Sequence, residues 1–183
     1  GVATGAPFQV NQIGFGSLTC PSVAMDSSGA FVVVWDGDPN RASDDDIHAR
    51  CFDRSGAPRG EQFMVNVLEE GAQQWPQVGI SDANEFVVVW QHADPDPNVA
   101  TDIFCRRFDT SGVARGDPLW LNSYRLGKQQ YADVAVASDG AFLAVWESDD
   151  QDGSGYGVFA RREATLPVAD ANDGSMIEMA GFD

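Results

Sequence analysis

The chain is poor in the residues that usually carry catalysis and metal binding. It has two histidines, His48 and His92, and three cysteines, Cys20, Cys51 and Cys105, with no Cys-x-x-Cys spacing. An odd cysteine count without paired spacing argues against a disulfide framework and a zinc site, so the thiols are expected as small buried hydrophobes. No Gly-x-Ser-x-Gly elbow, Cys–His pair or phosphate loop stands in the sequence, which leaves nucleophilic catalysis without evident actors. Basic residues are scarce, 11 Lys and Arg against 28 Asp and Glu, for a net charge of -17. That balance repels phosphate backbones and anionic membranes, so nucleic acid is excluded as a partner and membrane insertion is not expected. Apolar runs long enough for a membrane helix are missing, as is any sustained helical period.

What the sequence does have is a repeat. "FVVVW" stands at Phe31–Trp35 and Phe86–Trp90, and "FLAVW" at Phe142–Trp146; the tryptophans are 55 and 56 residues apart. Aligned on them, "GAPFQVN", "GEQFMVN" and "GDPLWLN" fall in register, as do "PSVAMD", "PQVGIS" and "ADVAVA". So do "DIHARCFDRSG", "DIFCRRFDTSG" and "GVFARRE". Each unit therefore holds four short extended runs separated by Gly, Pro, Asp and Ser, and a period of this length signals a repeat architecture. The run containing the tryptophan is apolar at every position, which requires cover on both faces. A four-stranded sheet packed between two like sheets meets that need, and the fold class expected is an all-β propeller with three four-stranded blades per chain. The alternative is a two-layer β-sandwich, which accounts for the strand count but not for the period.

The unit "GAFVVVWDG...DDDIHARCFDRSGAPRGEQFMVN" resembles a tandem repeat of large secreted or surface proteins of bacteria. The likeness covers residues 5–163 and implies an extracellular, propeller-like module. It says little about activity. The sequence departs from that pattern at Glu163, where a Phe-Asp pair is expected, and in the tail at 164–183. "DSSGAF" and "SDGAF" also resemble the Asp-box turns of sialidase propellers, which are structural there.

The units span about 5–59, 60–115 and 116–163, so the last blade lacks its fourth run while Phe8–Asn11 supplies an unattached one. Three blades fall below the usual ring minimum of about four. A homodimer with six blades is therefore expected, each chain's first run completing the other's third blade. Excision from a longer repeat array is a second explanation, and the tail lying down as an edge strand is a third.

Twelve of the 28 acids cluster in the loops that follow the tryptophans. Asp36, Asp38, Asp44, Asp46, Asp94, Asp96, Asp102, Asp149, Asp150 and Asp152 are candidate Ca2+ ligands, since hard cations take oxygen donors from flexible loops. A solvated acidic loop is the plainer account. Arg50, Arg106 and Arg161 recur at one repeat position and are candidates to line a ligand site, with structural pairing as the alternative. Trp75, Trp120 and Tyr131 lie outside the apolar word. Such aromatics stack on sugars or anchor a partner protein, unless buried between blades. Together these features lead to the expectation of a secreted or cell-surface, non-enzymatic binding or assembly module, with a lectin-like sugar binder as the alternative and a glycan hydrolase as the third reading.

Overall fold

β-Branched and aromatic residues favour extended backbone, and each copy of the apolar word forms the second strand of an antiparallel sheet. The computed structural model describes residues 5–12, 16–38, 45–67, 70–95 and 100–165, and among these there are eleven strands and no helix. Strands β1 (Leu18–Met25), β2 (Phe31–Gly37), β3 (Asp46–Phe52) and β4 (Phe63–Met64) make the first sheet. The second consists of β5 (Ala72–Ile80), β6 (Glu85–Ala93), β7 (Thr101–Asp109) and β8 (Leu119–Trp120). The third has β9 (Gln129–Val136), β10 (Phe142–Asp149) and β11 (Tyr156–Glu163). In each sheet the spatial order follows the chain, as in a propeller blade, and the arrangement is propeller-like rather than a two-sheet sandwich. No helix among the described residues is long and apolar enough to cross a membrane.

Blades and sequence units are offset, because the run that opens a unit closes the blade before it. Phe63 and Met64 pair with Ala49 and His48 as the fourth strand of blade 1. Blade 3 has three strands among the described residues. Phe8–Asn11, expected as a strand, is not one, although Phe8 packs on Phe52 with ring centroids 5.7 Å apart. The tail expected as an alternative edge strand lies, beyond Thr165, outside the described residues.

Alternation along the apolar word gives each blade two faces. Val32, Val34, Ile47 and Ala49 of blade 1 meet Val78, Phe86, Val88 and Trp90 of blade 2 in one core layer. Val87, Val89, Ile103 and Cys105 of blade 2 meet Ala132, Phe142, Ala144 and Trp146 of blade 3 in the other. Only in the middle blade is the whole word buried. A Cβ on Gly79 would stand 2.6 Å from Val136 Cγ2, so the close approach of β5 to β9 requires glycine there. All three thiols are free; burial pushes Cys51 up to about 11 and Cys105 to about 12, which keeps both protonated.

The Asp-x-Ser-Gly turns are held by their own aspartates. Asp26 Oδ1 accepts from the Ser28 hydroxyl and amide and from the Ala30 amide. Asp53 and Asp109 repeat the pattern with Ser55 and Ala57 and with Ser111 and Val113. The serine hydroxyl first, then the amides, hold Asp26 and Asp53 below the usual carboxylate range. At Asp109 burial pushes the other way, and the Ser111 hydroxyl and the amides prevail. Carboxyls lowered by folding contribute stability that is present above their unfolded value and lost as pH falls through the folded one. The melting temperature should therefore hold from pH 7 to about pH 4 and drop below it. Asp53→Asn with Asp109→Asn should lower it at neutral pH and flatten the acid limb; an unchanged acid limb in that variant would assign the drop to other carboxylates.

Candidate functional site on the inner strands

The first strand of each blade is the innermost, and β1 meets β5 while β5 meets β9. All three break their pairing at the same repeat position. The register slips between Thr19 and Ser22 in β1 and between Gln74 and Gln77 in β5, and in β9 it slips opposite Val145–Glu147. At the slip stand Cys20, Trp75 and Tyr131, all at positive φ of 47°, 59° and 54°. A bulge of this kind turns a side chain out of the ladder, and for bulky residues the left-handed conformation costs on the order of 1–2 kcal/mol. The fold sustains that strain three times at equivalent positions.

The consequence is an exposed aromatic pair. Trp75 and Tyr131, from neighbouring blades, meet edge to face with centroids 5.2 Å apart. They remain 43% and 52% exposed, so they are not buried between blades. With Gln77, Ala132 and Asp133 they line a cavity of about 260 Å³. Behind the pair, Asp36 accepts from the Trp75 amide at 2.8 Å and from the Thr19 hydroxyl at 2.5 Å, which ties the bulge of blade 2 to blade 1. On the next rung Ser22 donates to Gln77 Oε1 at 3.0 Å. Asp133 occupies the equivalent position in blade 3, and its Oδ1 accepts the Val134 amide at 2.8 Å.

The remaining candidates are placed elsewhere. Trp120 is on the outer strand β8, stacked under the Arg125 guanidinium at 3.7 Å, and does not join the inner pair. Arg50, Arg106 and Arg161 are engaged locally, each with backbone carbonyls, and Arg161 Nε also pairs with Glu163 Oε1 at 2.5 Å. Arg106 Nη1 donates to Val65 O at 2.9 Å and Nε to Gly116 O at 3.0 Å. Arg50 donates in the same way to Val10 O and Gly60 O, and Arg161 Nη1 to Leu121 O. Each arginine thus clamps its blade to the outer run in front of it.

The acids do not converge, for among the described residues no three His, Cys, Asp or Glu side chains form a metal-holding group. Asp46 and Asp102 accept from Asn66 and Asn122, whose own oxygens cap the Ile47 and Ile103 amides. Asp150 and Asp152 take up the amides of Gly155 and Ser154 within their own turn. Asp149 ends β10 and Asp38 follows β2, while Asp94 follows β6; Asp44 and Asp96 lie outside the described residues. Sequence reading had aligned Cys20, Trp75 and Tyr131 but missed the bulge that exposes two of them. Its trace is the pattern Gln-Trp-Pro-Gln, in which strict alternation slips by one.

No family model matches the chain, and no curated protein matches it. Among solved structures it is similar to a Hadza microbial sialidase, Hz136, at 13% identity and a TM-score of 0.51, over 74% of this chain and 33% of that one. It is similar also to a thermostable family-43 glycoside hydrolase at 13% identity and a TM-score of 0.50, over 80% of this chain and 54% of that one. A protein of unknown function from Dyadobacter fermentans gives 13% identity and a TM-score of 0.54, over 80% and 50%. The chain spans about a third to a half of these structures, and the likeness is one of fold. It corrects the expectation of a non-enzymatic binding or assembly module, because the scaffold is one shared with glycoside hydrolases.

Proposed function

We propose that these blades belong to a glycan-processing β-propeller of the glycoside hydrolase kind, acting outside the cell, and that sugar is held where Trp75 and Tyr131 emerge from the inner strands. The observation that carries this reading is the exposed aromatic pair held at positive φ. Strained backbone at equivalent positions points to function, since a purely structural bulge would be served by glycine. Aromatic faces bind the C–H face of a sugar ring, and Gln77 and Asp133 stand beside them to take its hydroxyls. Hydrolysis of a glycoside needs two carboxyl groups about 5–9.5 Å apart. Asp133 is the candidate for one, and the second would come from a loop of another blade. The fold likeness to a sialidase and a family-43 hydrolase supports glycosides as the substrate class.

The test is a titration with a panel of oligosaccharides that includes sialosides, followed by tryptophan fluorescence and by release of reducing ends. Saturable quenching is expected, lost in Trp75→Ala with Tyr131→Ala. If no oligosaccharide perturbs the wild type, or the double variant binds equally well, the assignment fails.

A further inference from the structure

The two end blades each carry an open apolar face, and the two faces match. Blade 3 presents Leu143, Val145, Val158 and Ala160, the repeat equivalents of Val32, Val34, Ile47 and Ala49, which blade 1 packs onto blade 2. Val158 is 79% exposed where Ile47 and Ile103 are 0%. Blade 1 presents Val23, Met25, Phe31 and Val33, the equivalents of Val78, Ile80, Phe86 and Val88, which receive that packing. Val23 is 61% exposed where Val78 is 8%. One end of the chain thus has the chemistry of the inserting side of a blade interface already seen twice, and the other end has the receiving side.

The segment in front of blade 1 adds an independent observation. Phe8 packs on Phe52 as Phe63 of β4 packs on Phe108, with centroids at 5.7 and 5.5 Å. Arg50 Nη1 reaches Val10 O at 2.8 Å as Arg106 Nη1 reaches Val65 O at 2.9 Å. Phe8–Val10 therefore sits where the outer strand of a preceding blade belongs. Blade 3 has three strands among the described residues.

We propose that the occupant of both faces is a second copy of this chain. Blade 3 of each copy packs on blade 1 of the other, and two chains close a six-bladed ring about a two-fold axis. By the register in which His48 pairs with Met64 and Ala49 with Phe63, Phe159 then lies opposite Gln9 of the partner subunit and Ala160 opposite Phe8 of the partner subunit. A second copy fits because the described residues carry both complementary faces, so a single contact repeated twice covers both of them. The proposal rests on packing alone and stands apart from the assignment of the aromatic site.

Light scattering on the 183-residue chain should give twice its 19.7 kDa mass, independent of concentration once saturated. Val158→Asp and Val23→Asp, on opposite faces, should each halve that mass while leaving the far-ultraviolet circular dichroism unchanged. Val113→Asp, on the exposed turn after β7, should remain dimeric. A monomeric wild type, a mass that keeps growing with concentration, or face variants that stay dimeric would overturn the proposal.

Discussion

Trp90→Ala is expected to lower folding stability by about 3–5 kcal/mol, a large part of what a domain of this size has. The indole is buried in the layer between blades 1 and 2 and stacks on Phe104 with centroids 5.9 Å apart. Its Nε1 donates to Gln73 Oε1 at 2.8 Å, and Gln73 Nε2 lies 2.7 Å from His92 Nδ1. Truncation opens a cavity that neighbouring strands cannot close without shifting a blade, and it leaves a buried amide oxygen without its donor. The equivalent Trp35 and Trp146 have no such partner for their indole N–H, so the middle tryptophan should be the costliest of the three. Leu18 stands where Gln73 would be in blade 1, and in blade 3 the equivalent Gln129 oxygen is itself unpartnered. Denaturant unfolding of the three alanine variants checks the ranking; a loss under about 1 kcal/mol at Trp90 would contradict the placement of this strand between two blades.

Much of the architecture was legible because burial on both faces leaves a mark on every residue of a strand. The all-apolar words at Phe31–Trp35 and Phe86–Trp90 require two neighbours, and the 55-residue period requires that the neighbours be alike. The site was less legible. Exposure of Trp75 and Tyr131 depends on a one-residue slip in backbone pairing, and side-chain chemistry carries almost no record of where a ladder slips. The recurring arginines were visible as a repeat, but their partners are carbonyls, Val10, Val65 and Leu121, and every residue has a carbonyl. The acids after each tryptophan suggested a shared cation because like charges cluster there. Several are instead occupied locally, Asp36 by Thr19 and Trp75, Asp46 by Asn66 and Asp102 by Asn122.

The same physics makes a second large effect expected at Val87, the second residue of the middle word. Its side chain is 0% exposed, packed in the layer between blades 2 and 3, and the cation opposite it on β7, Arg107, is already engaged by the carbonyls of Gly140 and Ala164 and by Glu85. Val87→Asp should cost about 3–5 kcal/mol, because the carboxylate must be taken out of water and Arg107 can pair with it only by giving up the carbonyls of Gly140 and Ala164. Leu143 holds the equivalent position in blade 3 on the face that no other blade among the described residues covers, and it is 44% exposed. The two variants add the same carboxylate at the same repeat position of the same kind of strand. They differ only in which neighbour the blade has.

Comparing the thermal unfolding of Val87→Asp and Leu143→Asp therefore tests most directly whether the three repeats are consecutive blades. The account predicts loss of cooperative unfolding for Val87→Asp, and a cooperative transition with native circular dichroism for Leu143→Asp. Equal loss in both variants, or a well-folded Val87→Asp, would contradict it.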